Sequence, residues 1–198
     1  MVAVAGGAEP VGKSLAQVLV GEGGRLRSEC LDEASVSTLR DGSTVLLARL
    51  DVADIDAVIA LHDALSDHER YLRFFFAPRA PDLKTCARKL TEGSDRDYAL
   101  GAFEFGELIG VANYVVSHED ETAEVALVVA HNDQLRGVGT ALLRRLSHIA
   151  RSNEIRHFVA DVLVENRVMR NVLHDAGWHS AYSDGNVLHV DVDLAKVA

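Results

Sequence analysis

Between Tyr98 and Val164 the chain carries three strand-like runs in succession, then a helical run, then a fourth strand-like run, and that order leaves few sheets it can build. Residues 98–105 turn through Gly106 into residues 107–116, and the charged turn His118-Glu119-Asp120-Glu121 leads into residues 123–130. Apolar runs joined by short turns pair as antiparallel neighbours. Residues 137–151 then place apolar side chains at helical spacing, and residues 157–164 return to strand character. A strand, a crossover helix and a second strand make a parallel pair with a right-handed connection. The sheet is therefore mixed, an antiparallel meander extended by one parallel β-α-β unit.

Upstream, residues 45–50 read as a strand, and helices are expected over residues 55–65, 68–76 and 83–90. Downstream, residues 167–176 form a helix that Gly177 ends, and residues 182–192 close a hairpin around Asp184-Gly185. The expected fold is α/β of the α+β type, a mixed, mostly antiparallel sheet of about six to seven strands flanked by helices. The first 42 residues differ in character: a short apolar run at Val2-Ala3-Val4-Ala5, helical spacing at Val11, Leu15, Val18 and Leu19, then Gly21, Gly23 and Gly24 and a polar stretch through Ser28, Asp32, Ser35 and Ser37. Asp41-Gly42 is a turn signal, so residues 1–42 are expected to be an N-terminal extension and residues 43–198 the main domain.

Residues 134–140, Gln134-Leu135-Arg136-Gly137-Val138-Gly139-Thr140, follow the last meander strand and open the helix. Glycines there let a ligand approach the backbone, the first N–H groups of a helix lack internal partners, and the helix dipole adds positive charge. Such a turn suits an anion, a pyrophosphate among others; an ordinary tight turn with packing glycines is the other reading. A second glycine motif, Gly7-Ala8-Glu9-Pro10-Val11-Gly12-Lys13-Ser14, satisfies G-x-x-x-x-G-K-S. A nucleotide-binding domain of that kind needs several further parallel strands and a metal-binding Asp, for which the short segment before residue 43 has no room.

The formal net charge of −10 disfavours nucleic acid and anionic membranes as partners and favours a cationic one, such as an amine. The two cysteines, Cys30 and Cys86, form no C-x-x-C pair, and the nine histidines form no H-x-x-x-H, so no metal is expected. Residues 1–9 lack the basic region of a signal peptide and no apolar run is long enough to span a bilayer, so the expected address is the cytoplasm. The sequence leaves the oligomeric state open.

The run from Gln134 through Gly137 and Gly139 resembles the Q/R-x-x-G-x-G/A pattern of the GNAT superfamily of N-acetyltransferases. The resemblance covers roughly residues 39–182 and includes a following Asn-initiated helix that ends in Gly-Trp, here Asn166 to Gly177-Trp178. It implies acetyl-CoA as co-substrate, with its pyrophosphate at Gln134, Leu135, Arg136, Gly137, Val138, Gly139 and Thr140. It also implies a pantetheine arm lying along the backbone of Leu127, Val128 and Val129, with Asn166 beside it. The tyrosine that many members carry four residues before the glycine is absent: Leu173 stands there and cannot donate a proton.

More narrowly, residues 66–78, with Tyr71, Arg73 and Phe74, are similar to a helix of bacterial Pat-type protein lysine acetyltransferases. In that resemblance Glu124 is the general base. A carboxylate on a strand that otherwise reads Ala-Val-Ala-Leu-Val-Val costs desolvation, and a solvated place at the strand's mouth is the competing reading. The implied reaction is acetylation of a protein lysine; a small amine (polyamine, amino acid or aminoglycoside) or a non-catalytic acyl-CoA-sensing role are the alternatives.

Overall fold

A computed structural model describes residues 34–74, 82–94, 96–117 and 121–197. The strand and helix expected near Val2 and Val11, the Gly7–Ser14 motif, and the meander turn at His118, Glu119 and Asp120 lie outside these residues.

The sheet has eight strands rather than six or seven: β1 (Ser35–Thr38), β2 (Thr44–Arg49), β3 (Asp97–Glu104), β4 (Glu107–Val116), β5 (Thr122–Val129), β6 (His157–Leu163), β7 (Ala181–Asp184) and β8 (Val187–Asp193). Their spatial order is β1-β2-β3-β4-β5-β6-β8-β7, antiparallel throughout except for the β5–β6 pair. The additional strand is β1, which sequence reading left inside the polar extension. Its residues Ser-Val-Ser-Thr carry too little apolar pattern to announce a strand, yet Val36 pairs with Leu46 and Ser37 with Val45. Asp41-Gly42 is thus the turn of a hairpin. Gly42 sits at φ +85, and an Asp41 carboxylate oxygen accepts from the Ser43 amide at 3.0 Å.

Among the described residues five α-helices pack on the sheet: α1 (Ile55–Asp63), α2 (Asp67–Phe74), α3 (Leu83–Glu92), α4 (Val138–Ser152) and α5 (Arg167–Asp175). Alternating side chains of the central strands feed two apolar layers. One holds Leu47, Leu100, Ala112 and Leu127 with Leu142, Leu143 and Leu146 of α4. The other holds Leu46, Ala48, Val111 and Val128 with Val58 and Leu61 of α1 and Ala87 of α3. Phe158 of β6 and Leu142 and Leu146 of α4 are completely buried, each contributing about 1.5–3 kcal/mol by burial. Among the described residues, no helix is long and apolar enough to cross a membrane.

The feature that shapes the site is a split in the sheet. β5 pairs with β4 along its length, from Val116↔Ala123 to Gly110↔Val129. β6 likewise pairs with β8 from His157↔Asp193 to Leu163↔Val187. Between β5 and β6 the parallel ladder stops at Glu124↔Val159. Past that point the two strands diverge, so the β6-facing polar groups of β5 have no strand partner there.

Candidate functional site

The split opens a cleft of about 640 Å³, lined along β5 from Glu124 to Val129, along β6 at Ala160, Asp161 and Val162, by Asn166, Val172 and Leu173 of the α5 segment, and by Glu69 and Arg73 of α2. Of the residues singled out in the sequence, Glu124, Leu127, Val128, Val129, Gln134 and Asn166 meet in this one space.

The turn between β5 and α4 is built as its sequence suggested, with one addition. Leu135 as well as Gly137 takes a positive φ, +64 and +99. Two left-handed residues so close together curl the backbone and bring successive N–H groups to one side, the arrangement that binds anions. The first α4 amide to find a backbone acceptor is Ala141, on the Gly137 carbonyl at 3.0 Å. The N–H groups of Val138, Gly139 and Thr140 therefore have no backbone acceptor among the described residues. The side chains of this run do other work. Leu135 is 69% exposed, whereas Val138 is buried against the core. Gly139 is small for packing: a Cβ there would stand 3.1 Å from Leu127 and from Val172. Gly137 and Thr140 line a neighbouring groove with Arg40, Arg144 and His148, so the turn forms the wall between two depressions.

Arg136 does not offer its guanidinium to a ligand. It makes a bidentate pair with Glu104 at 2.7 and 2.9 Å and reaches Asp41 at 2.7 Å and Ser43 at 2.8 Å, with Asp133 as a further partner. The hydrogen bonds that Arg136 donates to Glu104 and Asp41 raise its pKa, and the bond from Arg136 is the largest of the effects that lower Glu104. The Arg40 amide also donates to the Arg136 carbonyl at 3.0 Å. The turn is thereby clamped to the β1–β2 hairpin, and Arg136 can serve a ligand only through its backbone.

Gln134 and α2 are joined by Glu69, which in the Pat-like helix stands next to His68, where that family commonly has an acidic residue. Ser66 and Glu69 cap α2 reciprocally: a Glu69 carboxylate oxygen accepts from the Ser66 amide at 2.9 Å, and Ser66 Oγ accepts from the Glu69 amide at 3.3 Å. The other carboxylate oxygen accepts from Gln134 Nε2 at 2.8 Å and meets His131 Nδ1 at 2.9 Å. Burial opposes the Glu69 charge, but the bonds from Ser66, His131 and Gln134 outweigh it and hold the carboxyl at about 2. A depressed carboxyl stabilises the fold above its unfolded value and loses that contribution as pH falls through the folded one. The seating of α2 on the turn is therefore expected to weaken as pH falls from 4.5 toward about 2. Hydrogen exchange of the α2 amides checks this. Protection in Glu69→Gln should be lower and nearly flat across that range; parallel losses in variant and parent would refute the linkage.

Glu124 is exposed at the mouth of the cleft, so the solvated position holds and the burial considered for it is not found. It shares its face of β5 with Ala126 and Val128. Arg73 approaches from α2, and burial lowers its pKa against the opposing effect of the Glu124 carboxylate. Arg73 Nε and Trp178 Nε1, on side chains that both line the cleft, are buried without a hydrogen-bond acceptor among the described residues. Buried donors left open beside a cavity fit a polar occupant. Asn166 caps α5, its Oδ1 accepting from the Met169 amide at 3.0 Å. Leu173 is buried and lines the cleft, so no hydroxyl faces it from that position. Sequence reading also passed over Asp161 and His189, a cross-strand pair on β6 and β8 that faces the cleft with His189 Nδ1 2.7 Å from Asp161 Oδ1.

Comparison with known proteins agrees with this geometry. Residues 61–178 match the family model described as the acetyltransferase (GNAT) family. An acetyltransferase of Pseudomonas aeruginosa is 27% identical over 69% of this chain and 76% of its own length. The GNAT domain of PAT from Streptomyces lividans superposes with a TM-score of 0.74 at 28% identity, covering 82% of this chain and 98% of that domain. The acetyl-CoA-bound structure of YncA, a putative acetyltransferase from Salmonella typhimurium, shares the fold at a TM-score of 0.59 and 21% identity, over 77% of this chain and 95% of its own.

Proposed function

The chain belongs to the GNAT acetyltransferase family, and on that premise we propose that it moves an acetyl group from acetyl-CoA to the side-chain amine of a protein lysine by direct attack. The observation that carries the reading is the open edge of β5 ending at a turn with free amides. A pyrophosphate at residues 134–140 and a pantetheine arm along Leu127, Val128 and Val129 would satisfy both sets of polar groups with one ligand.

The amine arrives from the Glu124 face of β5. A lysine side chain starts near pKa 10.4, so it must lose a proton before it can attack, and Glu124 accepts that proton through water. A backbone N–H of the Leu127, Val128 and Val129 stretch holds the oxyanion that develops. Cys86 lies on α3 and does not line the cleft, which speaks for transfer without a covalent enzyme intermediate.

The likeness to the Streptomyces PAT domain, the Arg73-bearing helix at the cleft and the acidic net charge support a lysine on a folded protein as acceptor. Steady-state rates with free polyamines, amino acids and aminoglycosides should be weak beside those with a cognate protein, in which mass spectrometry would locate the acetyl-lysine. Efficient, saturable turnover of a free amine would shift the reading to a small-molecule acceptor. Acetyl-CoA binding with no transfer to any amine would make the chain a sensing module. Repeating the assay on a chain that begins at Ala34, which keeps β1, tests the assignment of the chemistry to the part after the N-terminal extension.

A further inference from the structure

Leu173 leaves the cleft without a hydroxyl to protonate the departing sulfur, yet a second proton-carrying group stands on the acceptor side. Asp161 and His189 are direct partners across the β6–β8 ladder, and both line the cleft. The ring nitrogen Nδ1 is 2.7 Å from the carboxylate, and Tyr182 stacks on the ring at 5.0 Å between centroids. A carboxylate accepts, so Nδ1 carries the proton and Nε2 keeps the lone pair. No other described residue engages Nε2.

The sheet places this pair relative to Glu124. Glu124 and Val159 are the last parallel partners, and parallel partners share a face. Asp161 is two residues beyond Val159, so it lies on the Glu124 face, roughly 6.6 Å further along the strands toward the Val129 end of β5. Along the strand direction Asp161 thus lies level with Ala126, between Glu124 and the stretch proposed to align the thioester, with His189 one strand further out on β8. Glu69 and Arg73 from α2 are the other charged groups lining this space.

Resting on the acetyl-transfer reading above, we propose that His189, oriented by Asp161, is the proton shuttle and general acid of the cleft. The acceptor enters as R–NH₃⁺ and leaves as an amide, so its nitrogen gives up two protons while a C–N bond forms and the C–S bond breaks. Glu124 takes the first proton and passes it to solvent. The Nε2 lone pair of His189 takes the second as the cationic tetrahedral nitrogen becomes the amide. Asp161 stabilises the imidazolium, which delivers that proton to the CoA thiolate to give the free thiol. The cleft therefore needs no tyrosine at position 173.

The test uses acetyl-CoA with poly-L-lysine as acceptor and reads kcat, CoA affinity and the ring tautomer by ¹⁵N NMR. His189→Gln should lower kcat about 10²-fold with CoA affinity within about threefold, and added imidazole should restore part of the rate. In the parent the ring should carry its proton on Nδ1, and Asp161→Asn should shift it toward Nε2 while lowering kcat. A rate within a few-fold of parent in His189→Gln, or an Nε2-protonated ring in the parent, overturns the proposal. A parent that does not acetylate polylysine agrees with an acceptor presented on a folded protein, and the tautomer in the CoA complex then decides the dyad.

Discussion

Glu124→Gln is expected to slow acetyl transfer about 10²–10⁴-fold while acetyl-CoA binds within a few-fold of the parent. The substitution keeps the side chain's size and removes only its ability to accept a proton. The fold should not register it, because Glu124 is exposed and makes no described hydrogen bond or ion pair within 4 Å. Its position makes the proton-accepting role the sensitive one. Glu124 stands at the last paired residue before β5 and β6 part, at the mouth of the cleft, on the face left roomy by Ala126. At neutral pH only about one lysine amine in 10³–10⁴ is unprotonated, so an enzyme without its base must wait for that fraction. The residual rate of the variant should rise with pH as the free-amine fraction grows. Turnover within a few-fold of the parent at pH 7 would remove Glu124 from the mechanism. Of the acidic residues before the strand, Glu121 faces Arg156 at 3.5 Å, and it would be next in line with Glu119 and Asp120.

What the sequence revealed and what it hid divide along one physical line. Periodicity and turn residues report local preference, and they located the meander, the crossover helix and the closing hairpin to within a residue or two. The glycine turn at residues 134–140 was legible for the same reason, since glycine spacing next to a helix start is a local signal. β1 was missed because a four-residue edge strand with one half-exposed valine carries almost no alternation, and only its partner β2 makes it a strand.

The site's long-range partners were hidden for a different reason. Glu69 and Gln134 are 65 residues apart, and Arg136 lies 95 residues from Asp41 and 32 from Glu104. A side chain's face can be read from its own strand or helix, but what stands opposite it is a property of the assembled sheet. The resemblance set Arg136 among the residues at the pyrophosphate; of the three carboxylates that claim its side chain, Asp133 is three residues away, but Asp41 and Glu104 come from elsewhere in the chain. The Asp161–His189 dyad illustrates the point from the other side. Leu188, Val190 and Val192 already place His189 on the opposite face of β8, and the same alternation on β6 places Asp161. Only the register Asp161↔His189 turns two isolated polar residues into a pair.

Gly137→Val is expected to weaken acetyl-CoA binding by at least about 10²-fold in calorimetry while far-UV circular dichroism stays that of the parent. Gly137 is the N-cap of α4 at φ +99 and ψ 3, a left-handed conformation that costs an L-residue roughly 1–2 kcal/mol and a β-branched one more. Space is not the main obstacle, since a Cβ would meet nothing nearer than Arg40 Cγ at 3.4 Å. The valine relieves the strain by rotating φ back, and that rotation swings the amides of Val138 and Gly139 away from the side where Leu135 has gathered them. A loss of 10² corresponds to about 2.7 kcal/mol, which is the scale of two charge-assisted hydrogen bonds to a phosphate. The fold survives because α4 is held by the burial of Leu142, Leu143 and Leu146 and not by its first turn. Gly185→Val supplies the control. Gly185 also has a positive φ, +59, with nothing within 4 Å of an added Cβ, but it turns the β7–β8 hairpin. It should show a comparable drop in thermal stability with CoA affinity unchanged. Equal affinity in the Gly137 and Gly185 variants would mean that the pyrophosphate is held elsewhere, and the neighbouring groove lined by Arg40, Arg144 and His148 would then be the place to look.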